Sequence, residues 1–309
     1  MAAESRRELL ARMIRDATRA TSPLVERRAS RIRRALGEEQ PAGSAARAAP
    51  VARTASPREV AKLARELGLL EHEAAVEAAL RISLALTIAG KQRHVPTSSP
   101  EDTTTLLTLS LDEPLLEGSA LSAHRGSLRL LLDDRGSWCL RHDAAAAGTH
   151  AARWLSGGRG VELAASRELV LPREWSDEVQ ELGLDDSGLT AWGGLRRQLA
   201  ALQGRELYGE LDGVVSHRWL GLPDDRSGSM QLECELRAAG LFEEGTPPLA
   251  HLQAAQLSPR SARWRLLLQL SPDETLDWSF GEFGERLFVW MRDDDMAHGR
   301  FDRSVAILR

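Results

Sequence analysis

His217, Glu233 and Glu282 are the side chains whose types could carry acid–base chemistry here, and Trp219 and Trp278 could seat a ligand beside them. An imidazole exchanges its proton near neutral pH, and a carboxylate in a dry cleft can be raised toward the same range. If the three ionisable groups converged, they would support hydrolysis or another proton transfer on a small ligand. No serine or cysteine nucleophile is tied to His217 by spacing. The plainer reading of His217 is a hydrogen bond to its own loop, "HRWLGLPDD", and the spacing favours it. Trp278 and Glu282 lie in "DWSFGEFGERLFVW", residues 277–290. There Gly281 and Gly284 permit the positive φ of a tight turn, and the aromatics read first as core. A recognition cleft built on Trp278 and Glu282 is the functional alternative.

Other chemistries lack their parts. The sequence holds no phosphate loop and no G-x-S-x-G elbow, and "HEAAV" at 72–76 lacks the second histidine of a zinc-protease helix. "RDDDM", 292–296, is expected to open a helical turn with Asp294 or Asp295 as cap, because three successive Asp side chains diverge. Cys139 and Cys234 have no metal-ligand spacing and are expected reduced and buried. The expectation is therefore no catalytic set, no metal and no cofactor, with His217, Trp219, Glu233, Trp278 and Glu282 as candidate binding residues.

The elements that must position these residues divide the 309-residue chain into three stretches. Residues 1–36 hold ten Arg against four acidic residues, or +6, so the remainder carries −11 of the net −5. Leu9, Leu10, Met13, Ile14 and Ala17 share one helical face, and "SPLVERRASRIRRAL" repeats Val25, Ala29, Ile32 and Leu36 at helical spacing. This basic amphipathic pair could meet nucleic acid or an anionic surface through residues 6–34, although no aromatic interleaves the arginines. Residues 37–56, rich in Ala, Gly, Ser and Pro, read as a flexible linker.

Residues 57–309 read as one α+β domain, with helices over 57–90 and a β region over 100–309. "SPRE" forms a capping box ahead of Val60, Leu63, Ala64 and Leu67, and a second helix is expected over 71–89 through Val76, Leu80, Leu84 and Ile88. "SMQLECELR" alternates Met230, Leu232, Cys234 and Leu236 with polar residues, which predicts a strand with one wet face. "VELAASRELVLP", "WRLLLQL", "RLFVWM" and "SVAIL" are further strands, and short helices are expected over 173–182 and 195–203. Short connections point to antiparallel sheets. "LLTLSLDE" at 106–113 and "LLQLSPDE" at 267–274 agree at six of eight positions, each followed by a glycine (Gly126 or Gly284) and an apolar strand. That echo predicts internal duplication of a strand–loop–strand unit.

"HRWLGLPDDRSGSMQLECEL", then "WRLLLQLSPDE" and "FGEFGERLFVWMRDDDM", resemble the YwqG-like family, bacterial proteins of unknown function. His217, Gly221, Pro223, Met230, Glu233, Cys234, Asp273, Glu274, Gly281, Glu282, Gly284 and Trp290 carry the likeness. It is strongest over 210–309 and weaker over 100–209. The family's Gly-Gly-x-Pro segment is absent, the region reading "IAGKQRHVPTSSPEDTT". The resemblance implies a strand-rich α+β fold with internal duplication and carries no activity with it.

The functional expectation is a non-enzymatic protein-interaction module, with neutralisation of a neighbouring toxin or effector as one such role. Two other readings are a hydrolase or small-ligand enzyme using His217, Glu233 and Glu282, and an anion-binding regulator acting through the Arg-rich helices. No run approaches the ~20 apolar residues of a membrane span, so a cytoplasmic location is expected.

Overall fold

The computed structural model describes residues 54–88, 105–132, 137–145, 152–156, 159–204, 217–224, 230–273, 276, 280 and 285–309. These belong to a compact unit spanning Val51–Arg309. The basic segment 1–36 and residues 37–53 of the expected linker lie outside the described residues. Thr54 to Ser56, assigned to the linker from composition, belong to the folded body. Thr54 donates to the Arg167 carbonyl at 2.7 Å and Ala55 is buried.

The capping box forms as expected. Ser56 Oγ accepts from the Glu59 amide and the Glu59 carboxylate accepts from the Ser56 amide at 2.8 Å, opening helix α1, Pro57–Glu66. The predicted second helix is shorter. After a 3-10 turn at Leu70–His72, helix α2 covers only Glu73–Ala79, and Arg81–Ile88 is strand β1. The spacing of four that suggested a helix coincides with every second inward position of a strand. Leu84 and Leu86 enter the core while Ser83 and Ala85 face the other way, and β-branched Ile82, Thr87 and Ile88 suit the extended backbone.

The strands are β2 Thr105–Ser110, β3 Ser127–Leu132, β4 Trp138–Asp143, β5 Ala152–Ser156, β6 Arg159–Val170, β7 His217–Trp219, β8 Trp264–Leu270, β9 Leu287–Arg292 and β10 Val305–Leu308. With β1 they form one sheet in the order β10-β9-β8-β7-β1-β6-β5-β2-β3-β4, and every neighbouring pair is antiparallel. The architecture is α+β and strand-rich. Between β6 and β7 lie helices α3, Asp177–Gln180, and α4, Asp186–Leu202; α4 packs with α1 and α2 around Trp192, Leu195 and Leu199.

The two wings of the sheet share their register. Thr108 pairs with Arg129 as Gln269 pairs with Phe288, and Leu109 with Leu128 as Leu270 with Leu287. Each inner strand shifts register at the same place, between Thr105 and Leu107 and between Leu266 and Leu268. On the other side of these strands, Trp154 pairs with Leu107 and Trp219 with Leu268, each Trp following an Arg that pairs with Thr108 or Gln269. Both tryptophans are fully buried.

One face of the sheet holds the main core, including Leu84, Leu130, Trp154, Trp219, Leu268 and Val289. The opposite face of β8–β10 is covered by helix α5, Met230–Ala238. This corrects the strand expected from the alternation of "SMQLECELR". Met230 and Cys234 sit on Trp264, Phe288 and Trp290, while Glu233 and Glu235, read as solvated, are buried. The alternation arose because the helix buries polar positions that are supplied with ion-pair partners.

Candidate functional site

Strand β7 places His217 on the main-core side of the sheet, where it is buried with its Nε2 3.2 Å from Asp273 Oδ2. A carboxylate only accepts, so the imidazole Nε2–H donates. Burial lowers the His217 pKa, and the hydrogen bond and charge of Asp273 offset only part of that. The ring is therefore neutral near pH 7, and the contact is a hydrogen bond between a neutral and a charged group. Trp219 is fully buried, and its indole N–H has no partner among the described residues, so it is a core anchor and not a ligand platform.

Glu233 sits on α5, buried, accepting from Arg237 Nε at 2.9 Å and from the guanidinium of Arg309. Its helix covers the face opposite the one that holds Trp219. His217 and Trp219, two apart on one strand, share the inner side. The structure thus does not bring Glu233 to His217. Trp278 and Glu282 lie outside the described residues.

Next to His217 in the chain, Arg218 anchors a charged network that no sequence motif marks. Arg218, pointing away from the main core, donates through Nε to Glu168 at 3.0 Å and pairs with Asp224 at 3.2 Å. Burial works against the charge on Arg218, but Asp224 and Glu168 outweigh it and its pKa is raised. Burial likewise pushes Asp224 up, yet Arg218, then Arg173 and Arg196, outweigh it and hold the carboxyl at about 2. Arg173 stands 3.6 Å from Asp224, and Arg196 Nη1 stands 3.1 Å from Glu174. The loop that delivers Asp224 turns through Leu220 (φ 63°), the one non-glycine residue with positive φ among the described residues, and Gly221 (φ 89°). A Cβ on Gly221 would stand 2.7 Å from that of Ser83, so only glycine fits against β1 there. With its charges paired, this cluster ties together β6, β7, the segment before α3 and helix α4.

A second charged site is open to solvent. A cleft of about 440 Å³ is lined by Glu235, Arg260, Arg263, Arg292, Asp294, Asp295, Arg300 and Arg303. Glu235 comes from α5, Arg260 from helix α6, Ala254–Ser261, and Arg292 from the end of β9. The "RDDDM" run opens helix α7, Asp293–Ala297, as expected of a helical turn, but Arg292 and not Asp294 or Asp295 is its N-cap residue. Buried Asp295 pairs with Arg300 at 2.7 Å and Arg303 at 3.4 Å, and no cluster of metal-ligating side chains occurs among the described residues. Glu235 accepts from Trp264 Nε1 and from Arg292 Nη2, both at 2.8 Å, and the Arg292 guanidinium lies over the Trp264 ring, 5.0 Å from its centroid. The sequence signal for this cleft was the arginine density of 260–265 and 292–303, and only the fold shows that α6, β9 and α7 converge.

No family model matches the chain, and no curated protein matches it. No helix among the described residues is long and apolar enough to cross a membrane.

Proposed function

We propose that this protein is a non-enzymatic interaction module whose partner docks on the segment joining α5 to α6. The observation that carries this reading is the exposure of Leu249 and Leu252, 75% and 94%, with Leu241 also exposed, in one short segment. Grouped leucines kept in water are costly unless a partner covers them. Beside them Arg237 lies over the Phe242 ring at 4.0 Å, a flat cationic and aromatic surface of the kind enriched in interface anchors. Neutralisation of a toxin or effector is one role such a module would serve. The separation of His217 and Glu233 by the sheet weighs against the hydrolase reading.

The shared register of β2–β3 and β8–β9, with equivalent Arg–Trp pairs on β5 and β7, supports an origin by internal duplication. The YwqG-like resemblance is held on the same footing, as a proposal resting on the motifs of 210–309. The direct test of the docking surface is quantitative affinity capture from native lysate, comparing the natural chain with the double variant Leu249→Ser, Leu252→Ser. The expected result is a specific protein recovered by the first and lost with the second at unchanged Tm. Identical recoveries, or no specific protein at saturating depth, would remove the reading.

A further inference from the structure

We propose that the arginine cleft between α6, α7 and the end of β9 is a binding site for a small ligand carrying linked phosphate groups. This site is distinct from the leucine surface and does not depend on the docking role assigned to it. Five guanidinium groups and three carboxylates line the cleft, leaving 5 − 3 = +2 formal charges, in a protein of net charge −5. Positive charge concentrated in a concavity against that background attracts anions and repels cations.

The carboxylates are spoken for. Glu235, buried, serves Trp264 and Arg292, Asp295, also buried, serves Arg300 and Arg303, and Asp294 faces Arg263 at 3.5 Å. Arg260 has no side-chain partner among the described residues. Five guanidinium groups bring about 25 N–H donors, five each, and the ion pairs just named occupy a small fraction of them. The remaining forks suit oxygen-rich anions, which accept them bidentately. Arg292 is also held in place before any ligand arrives, by Glu235 at its edge and Trp264 against its face. That lowers the ordering cost of binding.

Size and lining narrow the class. A volume of about 440 Å³ equals roughly 15 waters at ~30 Å³ each, too large for one oxyanion and within the range of small-molecule sites. Among the described residues no aromatic side chain lines the cleft, and Trp264 is itself buried, so they offer no base or sugar ring a stacking platform. Recognition falls on the phosphates, and a pyrophosphate-bearing ligand fits both the charge and the space.

Isothermal titration of the full chain with inorganic pyrophosphate at low salt tests this, with Arg260→Glu and Arg303→Ala as variants. Arg260→Glu removes a guanidinium that no described carboxylate needs, and Arg303→Ala leaves Asp295 its contact with Arg300, so both are expected to fold with unchanged Tm. One pyrophosphate per chain, weakened at least tenfold in both variants and by added salt, is the expected result. No binding at low salt would overturn the proposal. So would binding left intact in Arg260→Glu, since the anion would then be held elsewhere, for instance by the arginines of residues 6–34. Tighter binding of citrate than of pyrophosphate would overturn the phosphate assignment in favour of a carboxylate ligand. Loss of partner capture in the leucine variant with pyrophosphate binding retained separates this site from the docking surface.

Discussion

Arg129 and Phe288 occupy equivalent places in the two wings of the sheet, paired with Thr108 and Gln269. Arg129 is partly exposed and stands 3.6 Å from Asp143, whereas Phe288 is fully buried beneath α5. Arg153 and Arg218 differ in the same sense. Arg153 is half-buried across from Glu162, while Arg218 is enclosed by Glu168 and Asp224. The inward positions, by contrast, are alike: Trp154 with Trp219, Leu107 with Leu268. The strand frame therefore decides what faces the core, and whatever is laid on the outer face decides the rest. The helices laid on one wing supply residues of the arginine cleft, Glu235 from α5 and Arg260 from α6.

Several substitutions sharpen or break that equivalence. Trp154→Ala and Trp219→Ala should each lose about 3–5 kcal/mol in chemical denaturation, because each leaves a large cavity at the same point of its wing. A gap above roughly 2 kcal/mol between them would show that the wings are not equivalent in packing. Arg218→Ala should cost about 3 kcal/mol by removing the buried cation that Glu168 and Asp224 share, whereas Arg153→Ala should cost under about 1 kcal/mol. Equal losses would contradict the argument from the outer layer.

The acid limb of the stability curve gives a third comparison. The folded pKa of Asp224, about 2, lies below its ordinary 3.8, so its stabilisation is complete above about pH 5 and is lost as pH falls toward 2. The shift of 3.8 − 2 corresponds to about 2 kcal/mol, and Asp224→Asn should flatten the pH dependence of unfolding by that amount. The last comparison is at the strand entrances. Gly126 (φ 92°) would place a Cβ 2.2 Å from the Asp143 carbonyl oxygen, a backbone clash added to the strain of its positive φ, so Gly126→Ala should cost more than the about 1–2 kcal/mol of the φ alone. Glu285 stands at the matching place before β9 with no positive φ, and Glu285→Ala should change stability by less than about 0.5 kcal/mol. Thermal or urea unfolding of the pair measures the difference.

The sequence made some of this plain. A capping box and a continuous apolar run are local signals, and α1 and β8 sit where they were expected. Failures came where burial reached both sides of an element. Helix α5 buries Glu233 and Glu235 among arginines, so its polar residues imitated the wet face of a strand. Strand β1, taken for the end of a helix, is fixed by β6 and β7, partners far along the chain. "ARWL" at 152–155 and "HRWL" at 217–220 do not line up as a sequence repeat because one follows its wing's hairpin and the other precedes it. The arginine cleft draws on segments some thirty residues apart, and no spacing rule joins them.

Strand β1 pairs Leu84 with Trp219, 219 − 84 = 135 residues later. At synthesis rates of roughly 5–20 residues per second, one flank of β1 stays bare for on the order of ten seconds while the ribosome makes its neighbour. Its apolar, β-branched surface is a template for wrong pairing throughout that interval. Production of this protein should therefore respond to chaperone supply and to the speed of translation before residue 219, more than its finished sheet would suggest.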